Sequence, residues 1–252
     1  TGDPPSRERP ALPEIPIPPS TMSAPAVAPP APQIPALLRG EGLPDFGAIS
    51  AAQVDEQIPV LLEALHADLL ALESDLEAAL SSGSPLAWET VIDPLQRLEE
   101  RLRWSWGAVC HLQGVCNTPE LRQAHAAQQA AVVAFGNRSG QSRVLYRALT
   151  LLQRQGGLDP IQERILKAEL RAMELRGVGL EGEKQEAFNG ASQELAELST
   201  RFGNHVLDAT NAWSLLLRDP AEVVGLPESL LQLLAEAARQ GGEDQASAES
   251  GP

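Results

Sequence analysis

Residues 50–80 read SAAQVDEQIPVLLEALHADLLALESDLEAAL, and this stretch decides the fold class. Val54, Ile58, Leu61, Leu62, Leu65, Leu69, Leu72, Leu76 and Leu80 recur three and four residues apart. That spacing stacks side chains on one face of an α-helix. Ser50 stands at the N-cap position, where its hydroxyl can accept an amide proton that the first turn leaves unpaired. Pro59 lies within the run. Having no N–H, it is expected to kink the helix or to mark its true start. Ser82-Gly-Ser-Pro85 ends the element.

Similar signals recur toward the C-terminus. A second helix is expected from near Pro85 to about Leu112, with Leu95, Leu98, Leu102, Trp106 and Val109 as its apolar stripe. Pro94 sits early, where a helix tolerates it best, and Arg97, Glu100, Arg101 and Arg103 take the opposite face. At 1.5 Å per residue this helix is roughly 40 Å long. Gly114-Val-Cys-Asn117 turns the chain. Thr118-Pro119-Glu120 combines an N-cap with Pro at the first helical position and opens an Ala-rich helix. That helix is expected to end before Gly136-Asn-Arg-Ser-Gly140. Asn137-Arg138-Ser139 fits a glycosylation sequon and reads as a plain turn.

A short helix from Ser142 to about Gln155 uses Val144, Leu145, Leu149 and Leu152. Asp159-Pro160 repeats the cap-plus-Pro signal, and the fifth helix places Ile161, Ile165, Ala168, Ala172 and Leu175 on one face. Gly177 stops it. The sixth helix, from about Glu181 to Val206, carries Phe188, Ala191, Leu195, Leu198, Phe202 and Val206 in one seam. That seam is expected to be core, which would make Phe202→Ala cost about 3–5 kcal/mol. Glu197 and Arg201 are spaced for an exposed i,i+4 ion pair. Trp213-Ser-Leu-Leu-Leu217 reads as a strand or an extended link, and Glu228 to Gln240 as a final helix.

The pattern is all-α: a multi-helix antiparallel bundle of six to seven helices over residues 42–240. Aromatics are only 4% of the 252 residues, whereas strands favour aromatic and β-branched side chains. Residues 1–41 read as a disordered Pro-rich arm, because twelve of the 21 prolines fall before residue 36 and the periodic apolar pattern is missing. Residues 241–252 are small, acidic and unperiodic, and read as a disordered tail.

Composition also excludes functions. The formal net charge is −15, with no Lys/Arg cluster to offset it, so a nucleic acid or an anionic membrane surface is repelled. No apolar run approaches the ~18 residues of a spanning helix. Two thiols in a chain of this size, Cys110 and Cys116, suggest a reducing compartment.

Few residues offer chemistry. Gly177-Val-Gly-Leu-Glu-Gly182 matches G-x-G-x-x-G, but a dinucleotide site needs a strand before it. Here a helix precedes it, so Gly177 or Gly179 is read as a left-handed helix terminator. Cys110, His111, Cys116 and His125 are all zinc-competent, yet their spacing is no finger pattern, and adjacent helical residues diverge by about 100°. A buried thiol and a hydrogen-bonded His is the favoured reading. His205 is read as a surface or capping residue near a helix C-terminus, with Asn204 and Asp208 capping or turning the chain. Trp88, Trp104, Trp106 and Trp213 are read as core ahead of a ligand groove. Glu99-Glu100 and Glu181 with Glu183 are read as solvated helix faces. No catalytic, cofactor-binding or metal-binding residue is assigned.

Several stretches together resemble one family. Gly42-Leu-Pro-Asp-Phe46 with Ile49, Trp88-Glu89 with Pro94-Leu95, and His111-Leu-Gln-Gly-Val-Cys-Asn-Thr-Pro-Glu-Leu-Arg122 come first. Leu175-Arg-Gly-Val-Gly-Leu180, Leu195-Ala-Glu-Leu-Ser-Thr-Arg-Phe202, Asn204-His-Val-Leu-Asp-Ala-Thr210 and Gly225-Leu-Pro-Glu-Ser229 follow in order. The series resembles the N-terminal helical region of the oligopeptidase A / thimet oligopeptidase family of zinc metallopeptidases, nearer the oligopeptidase A branch. The resemblance implies an almost wholly helical lobe that forms one wall of a deep channel, admitting short unstructured peptides and excluding folded ones. It also implies zinc on an H-E-x-x-H helix in the other half of the enzyme. None of that motif is here: His66 is followed by Ala67, His111 by Leu112, His125 by Ala126 and His205 by Val206.

The expectation is therefore a non-catalytic lobe without its zinc-binding half, inactive alone, as a truncated isoform, a gene-model fragment or an excised piece. Its cofactor is none on this chain. Its partner is the missing lobe, or another protein, through an exposed apolar face around Trp213–Leu217 and the final helix. The compartment is intracellular, cytoplasmic or mitochondrial matrix. The alternative is a stand-alone helical interaction module.

Overall fold

The computed structural model describes residues 34–248. Seven α-helices account for most of them: α1 Ala51–Ser82, α2 Trp88–Val115, α3 Pro119–Gly140, α4 Arg143–Gln155, α5 Pro160–Leu175, α6 Glu183–Ala212 and α7 Glu228–Gln240. No strand is formed among the described residues, so the fold is all-α. α1 is the central element and packs against α2, α3 and α4. Its apolar face fills the core: Val54, Ile58, Leu61, Leu62, Leu65, Leu69, Leu72 and Leu76 are buried, and Leu80 packs on the rim.

Helix starts follow the capping chemistry in the sequence. Gln53 N–H donates to Ser50 Oγ at 3.4 Å, and Ser50 N–H donates to Gln53 Oε1 at 2.7 Å, a reciprocal capping box. Thr118 caps α3, Ser142 caps α4 and Asp159 caps α5 through their side-chain oxygens. Pro59 lies inside α1, which starts eight residues earlier at Ala51. α2 begins at Trp88, not near Pro85, because Ala87 is extended and Thr90 Oγ1 accepts its N–H.

α3 does not stop before Gly136-Asn-Arg-Ser-Gly140; it runs through this segment. Ser139 and Gly140 are buried there, and a Cβ on Gly140 would lie 2.5 Å from Arg176 Cδ. Gly140 thus lets the α5 terminus approach closely, and the sequon residue Asn137 is helical instead of sitting in a turn. In α5 the buried residues are Leu166, Leu170 and Met173, while Ile161 and Leu175 are exposed. The helix rests on α4, and that contact selects a face rotated from the expected one.

Gly177 ends α5 with φ +84°. Val178 N–H donates to Met173 O at 3.1 Å and Gly177 N–H to Glu174 O at 3.1 Å. This is a Schellman terminus, with Val178 and Met173 both buried as its apolar contact.

α6 overturns the expectation of a core seam. None of its residues is buried. Leu195, Leu198, Phe202 and Val206 are 66%, 42%, 71% and 50% exposed, Ala191 is exposed and Phe188 half-buried. The reason lies on the opposite face, which docks on α3 through polar groups. Gln129 donates to Thr200 Oγ1 at 2.8 Å and to Ala196 O at 3.1 Å, and Gln193 donates to Ala130 O at 2.7 Å. Gln113 donates to Asn204 Oδ1 at 2.6 Å. Arg122 grips Asp208 in a bidentate ion pair. The expected Glu197–Arg201 pair is not formed; neither residue has an ion-pair partner among the described residues.

Both expected disordered ends need correcting where they are described. Pro35 opens a short 3₁₀ turn, Ala36–Leu38, which belongs to the domain. Leu37 is fully buried, its N–H donates to Gln57 Oε1 at 2.9 Å, and its carbonyl accepts from Ser105 Oγ at 2.5 Å. After α7 the chain folds back: Ala246 is buried and its carbonyl accepts from Arg239 at 2.6 Å, while Arg218 pairs with Glu243 at 2.7 Å. The rest of the arm, residues 1–33, and the tail residues 249–252 lie outside the described residues.

Candidate functional site

The zinc-competent cluster does not assemble. Cys110 Sγ lies 3.7 Å from His125 Nε2, but the adjacent His111 packs against Phe46 with ring centroids 5.2 Å apart. Cys116 is exposed at the end of α2. Trp106 stacks on the His125 ring at 4.6 Å and an interplanar angle of 23°. The buried His125 leaves Nδ1 without a hydrogen-bond partner. Desolvation holds the imidazole below the usual histidine range. Cys110 keeps part of its surface in solvent, yet packing about the sulfur pushes its thiol up. Both shifts favour neutral partners. A nucleophilic Cys–His pair needs the opposite, a thiolate beside an imidazolium.

The other candidates disperse too. His205 is exposed and lies within α6, which continues to Ala212, so it caps nothing. Asn204 and Asp208, expected as capping or turn residues, instead anchor α6 to its neighbours. His66 meets the edge of Phe135 at 4.9 Å. Trp104 donates to Gly42 O at 2.8 Å, Trp88 and Trp106 pack on the core edge, and Trp213 is 70% exposed, so the four tryptophans form no groove. Among the described residues, no three His, Cys, Asp or Glu side chains converge to hold a metal.

Two carboxylates escape the solvated-face reading. Glu99 is largely buried: desolvation first, then the charge of Glu169, pushes its carboxyl up, and Arg176 at 3.9 Å only partly offsets this. Glu73, missed in the sequence, is the better held. Burial opposes its charge, but hydrogen bonds from Arg138 at 2.5 Å and from Ser142 Oγ at 2.5 Å outweigh it and keep the carboxyl below its usual range. No motif marks Glu73; it is one more Glu on the rim of α1. These side chains line a polar recess of about 380 Å³ with Arg143 and Gln185, but Arg138 is already neutralised by Glu73 and Arg143 by Glu181.

What remains is surface. Trp213–Leu217 is extended, with Trp213 70%, Leu215 65% and Leu216 37% exposed. Between this segment and α7 lies a cavity of about 350 Å³ lined by Leu215, Leu217, Val223, Leu231, Leu234 and Ala238. On α7 itself, Leu233 and Leu234 are 65% and 40% exposed. Together with the outward seam of α6, these residues leave a series of large apolar side chains in water along the C-terminal third of the described residues. Exposed apolar patches of this kind are commonly found where proteins meet partners.

Comparison with known proteins gives this surface its context. The family described as neurolysin/thimet oligopeptidase, N-terminal domain, matches residues 58–185, just over half of the chain. The chain is 36% identical over 219 residues to organellar oligopeptidase A, chloroplastic/mitochondrial, of Arabidopsis thaliana, covering 86% of this chain and 27% of that protein. It is 36% identical to a probable cytosolic oligopeptidase A of the same organism, covering 86% and 30%. Oligopeptidase A of Salmonella typhimurium is 34% identical over 198 residues, covering 77% and 28%. The chain therefore spans less than a third of the length of these relatives. An all-helical bundle with the ordered motif series, matched across half its length, belongs to the neurolysin/thimet oligopeptidase N-terminal domain family.

Proposed function

We propose that this chain serves as the non-catalytic N-terminal lobe of an oligopeptidase A-like zinc metalloendopeptidase. It forms part of the wall that limits access to short unstructured peptides. The observation that carries the reading is the family match to an N-terminal domain, in a sequence without H-E-x-x-H and with no three His, Cys, Asp or Glu side chains converging among the described residues. Zinc does not fit this lobe. Its four histidines lie in separate settings, one on the Phe135 edge, one on Phe46, one under Trp106 and one exposed on α6. No step of peptide cleavage runs through them. What the lobe supplies is shape: a rigid α1-centred bundle, and an apolar C-terminal surface at Trp213–Leu217 and α7 for the zinc-bearing portion to cover. The names of the relatives support an intracellular setting, cytosolic or organellar.

The test is a chimera. Residues 42–240 replace the matched part of the Salmonella oligopeptidase A, and a quenched fluorogenic peptide reports cleavage. Chelator-sensitive cleavage of the peptide, with a folded protein left intact, is expected. A folded, zinc-loaded chimera that cleaves neither that peptide nor shorter ones contradicts the lobe reading.

A further inference from the structure

Residues 35–49 carry the chain across α1 and α2 before the first helix begins. Only Leu37 and Ile49 are buried among them. Ile49 continues directly into the Ser50 cap of α1, so Leu37 is the one separate anchor of this segment. More than its side chain is held. Its N–H donates to Gln57 Oε1 on α1 at 2.9 Å, and its carbonyl accepts from Ser105 Oγ on α2 at 2.5 Å. Both backbone groups of a single residue are thus read by side chains from two helices. Gln57 is 6% exposed and Ser105 is fully buried. Burying such groups is costly unless they are hydrogen-bonded, and Leu37 supplies that bond to each.

Beyond the anchor the segment is tied only at its rim. Trp104 Nε1 donates to Gly42 O at 2.8 Å, an exposed contact, and Phe46 lies half in solvent against His111. Gly40 and Gly42 both have φ +70°, a backbone that glycine adopts without strain. They form a natural pivot between the anchor and the start of α1.

We infer that residues 35–42 are a self-docked strap. They act as the tethered ligand of a leucine-sized cleft between α1 and α2, and they open and close over it while the helical bundle stays folded. Opening gives up one buried side chain and a few hydrogen bonds. Unfolding the bundle gives up the whole α1-centred core. Segments with so few buried contacts open well before the domain does. The tether holds the strap at an effective concentration of about 1 mM or more, which keeps the cleft filled. The cleft offers an apolar socket, an acceptor for one N–H and a donor for the following C=O. That chemistry selects an unstructured peptide segment bearing leucine, tethered or free.

Native-state hydrogen exchange on the whole chain, followed residue by residue, tests the strap. The Leu37 amide is expected to exchange at least about tenfold faster than those of Leu65 and Leu69 in α1, with weak urea dependence. Ser105→Ala, which removes one hydrogen bond, should speed Leu37 exchange about fivefold. Phe135→Leu loosens a core site that the opened state retains. It should speed Leu65 about tenfold and leave Leu37 unchanged. The full-length Leu37→Asp variant should stay folded with its cleft bare, and calorimetric titration with a synthetic peptide of residues 34–42 should give a Kd of about 0.1–1 mM. The same peptide carrying Leu37→Asp should not bind. Leu37 exchanging on the same urea dependence as Leu65, or speeded equally by Phe135→Leu, overturns the proposal, because the segment would then be ordinary core. An unfolded Leu37→Asp chain overturns it likewise. A folded one that ignores the peptide, or takes both peptides alike, overturns the cleft's recognition of leucine.

Discussion

Two phenylalanines separate the core from the outer helix, and their truncation tests the arrangement. Phe135 on α3 is 2% exposed and meets His66 edge-on at 4.9 Å. Phe202 on α6 is 71% exposed. Burying an aromatic ring contributes about 1.5–3 kcal/mol by transfer alone. The cavity left in a close-packed interior brings Phe→Ala to about 3–5 kcal/mol. An aromatic edge contact adds about 0.5–1.5 kcal/mol. Phe135→Ala is therefore expected to cost about 4 kcal/mol, and in a domain of this size to lower Tm by roughly 8–16 °C. Phe202→Ala removes a ring that water already reaches and should stay within about 0.5 kcal/mol. Urea and thermal unfolding measure both; an unchanged m-value shows that the unfolded state has not shifted. A loss for Phe202→Ala as large as that for Phe135→Ala would refute the reasoning, because α6 would then be packed by its apolar face.

Three further outcomes follow from local geometry. Gly177→Ala forces a side chain to φ +84° and sets its Cβ 2.7 Å from Leu180 Cδ1, so it should cost at least about 1–2 kcal/mol; Gly179→Ala, with open space at its Cβ, should be near neutral in the same melt. Glu73 has a depressed carboxyl pKa, so the stability it contributes is present above its unfolded pKa, near 4.5, and is lost as pH falls through the folded value. Glu73→Gln should therefore destabilise at pH 7 and converge with wild type in acid. Glu99 is the reverse case: its raised pKa means that stability is lost as pH rises through the folded value. Glu99→Gln should stabilise at pH 7, with the gain vanishing below the usual carboxylate range, and a neutral-pH loss would show that Arg176 outweighs burial.

Local signals carried the fold well. Caps at Ser50, Thr118, Ser142 and Asp159, the long α1 stripe, and the glycine terminator at Gly177 are short-range chemistry, written in adjacent residues. What escaped was which face of a helix meets its neighbour. In α5 the sequence offers two apolar faces, and only the position of α4 selects Leu166, Leu170 and Met173 over Ile161 and Leu175. In α6 the cleaner apolar stripe is the exposed one. A run of Gln, Asn and Thr at helical spacing does the docking, and such residues look like solvated surface until Gln129 and Gln193 are seen meeting their partners. The ends misled for a related reason: Leu37 follows a Pro-rich run yet is held by Gln57 and Ser105 far along the chain, and Ala246 sits in an acidic run yet is buried, its carbonyl held by Arg239 as the chain folds back. The Cys110–His125 contact joins two helices and left no local trace in the sequence.

The claim that this is a lobe without peptidase chemistry is tested most directly by the purified chain alone. It is incubated with zinc and a quenched fluorogenic peptide, with and without chelator, across successive purification steps. The account predicts no turnover above buffer at any step once contaminating peptidases are removed. Chelator-sensitive cleavage that rises in step with the protein through purification, and persists when His66, His111, His125 and His205 are tested one by one until a single change abolishes it, would contradict the account and place a catalytic centre in this chain.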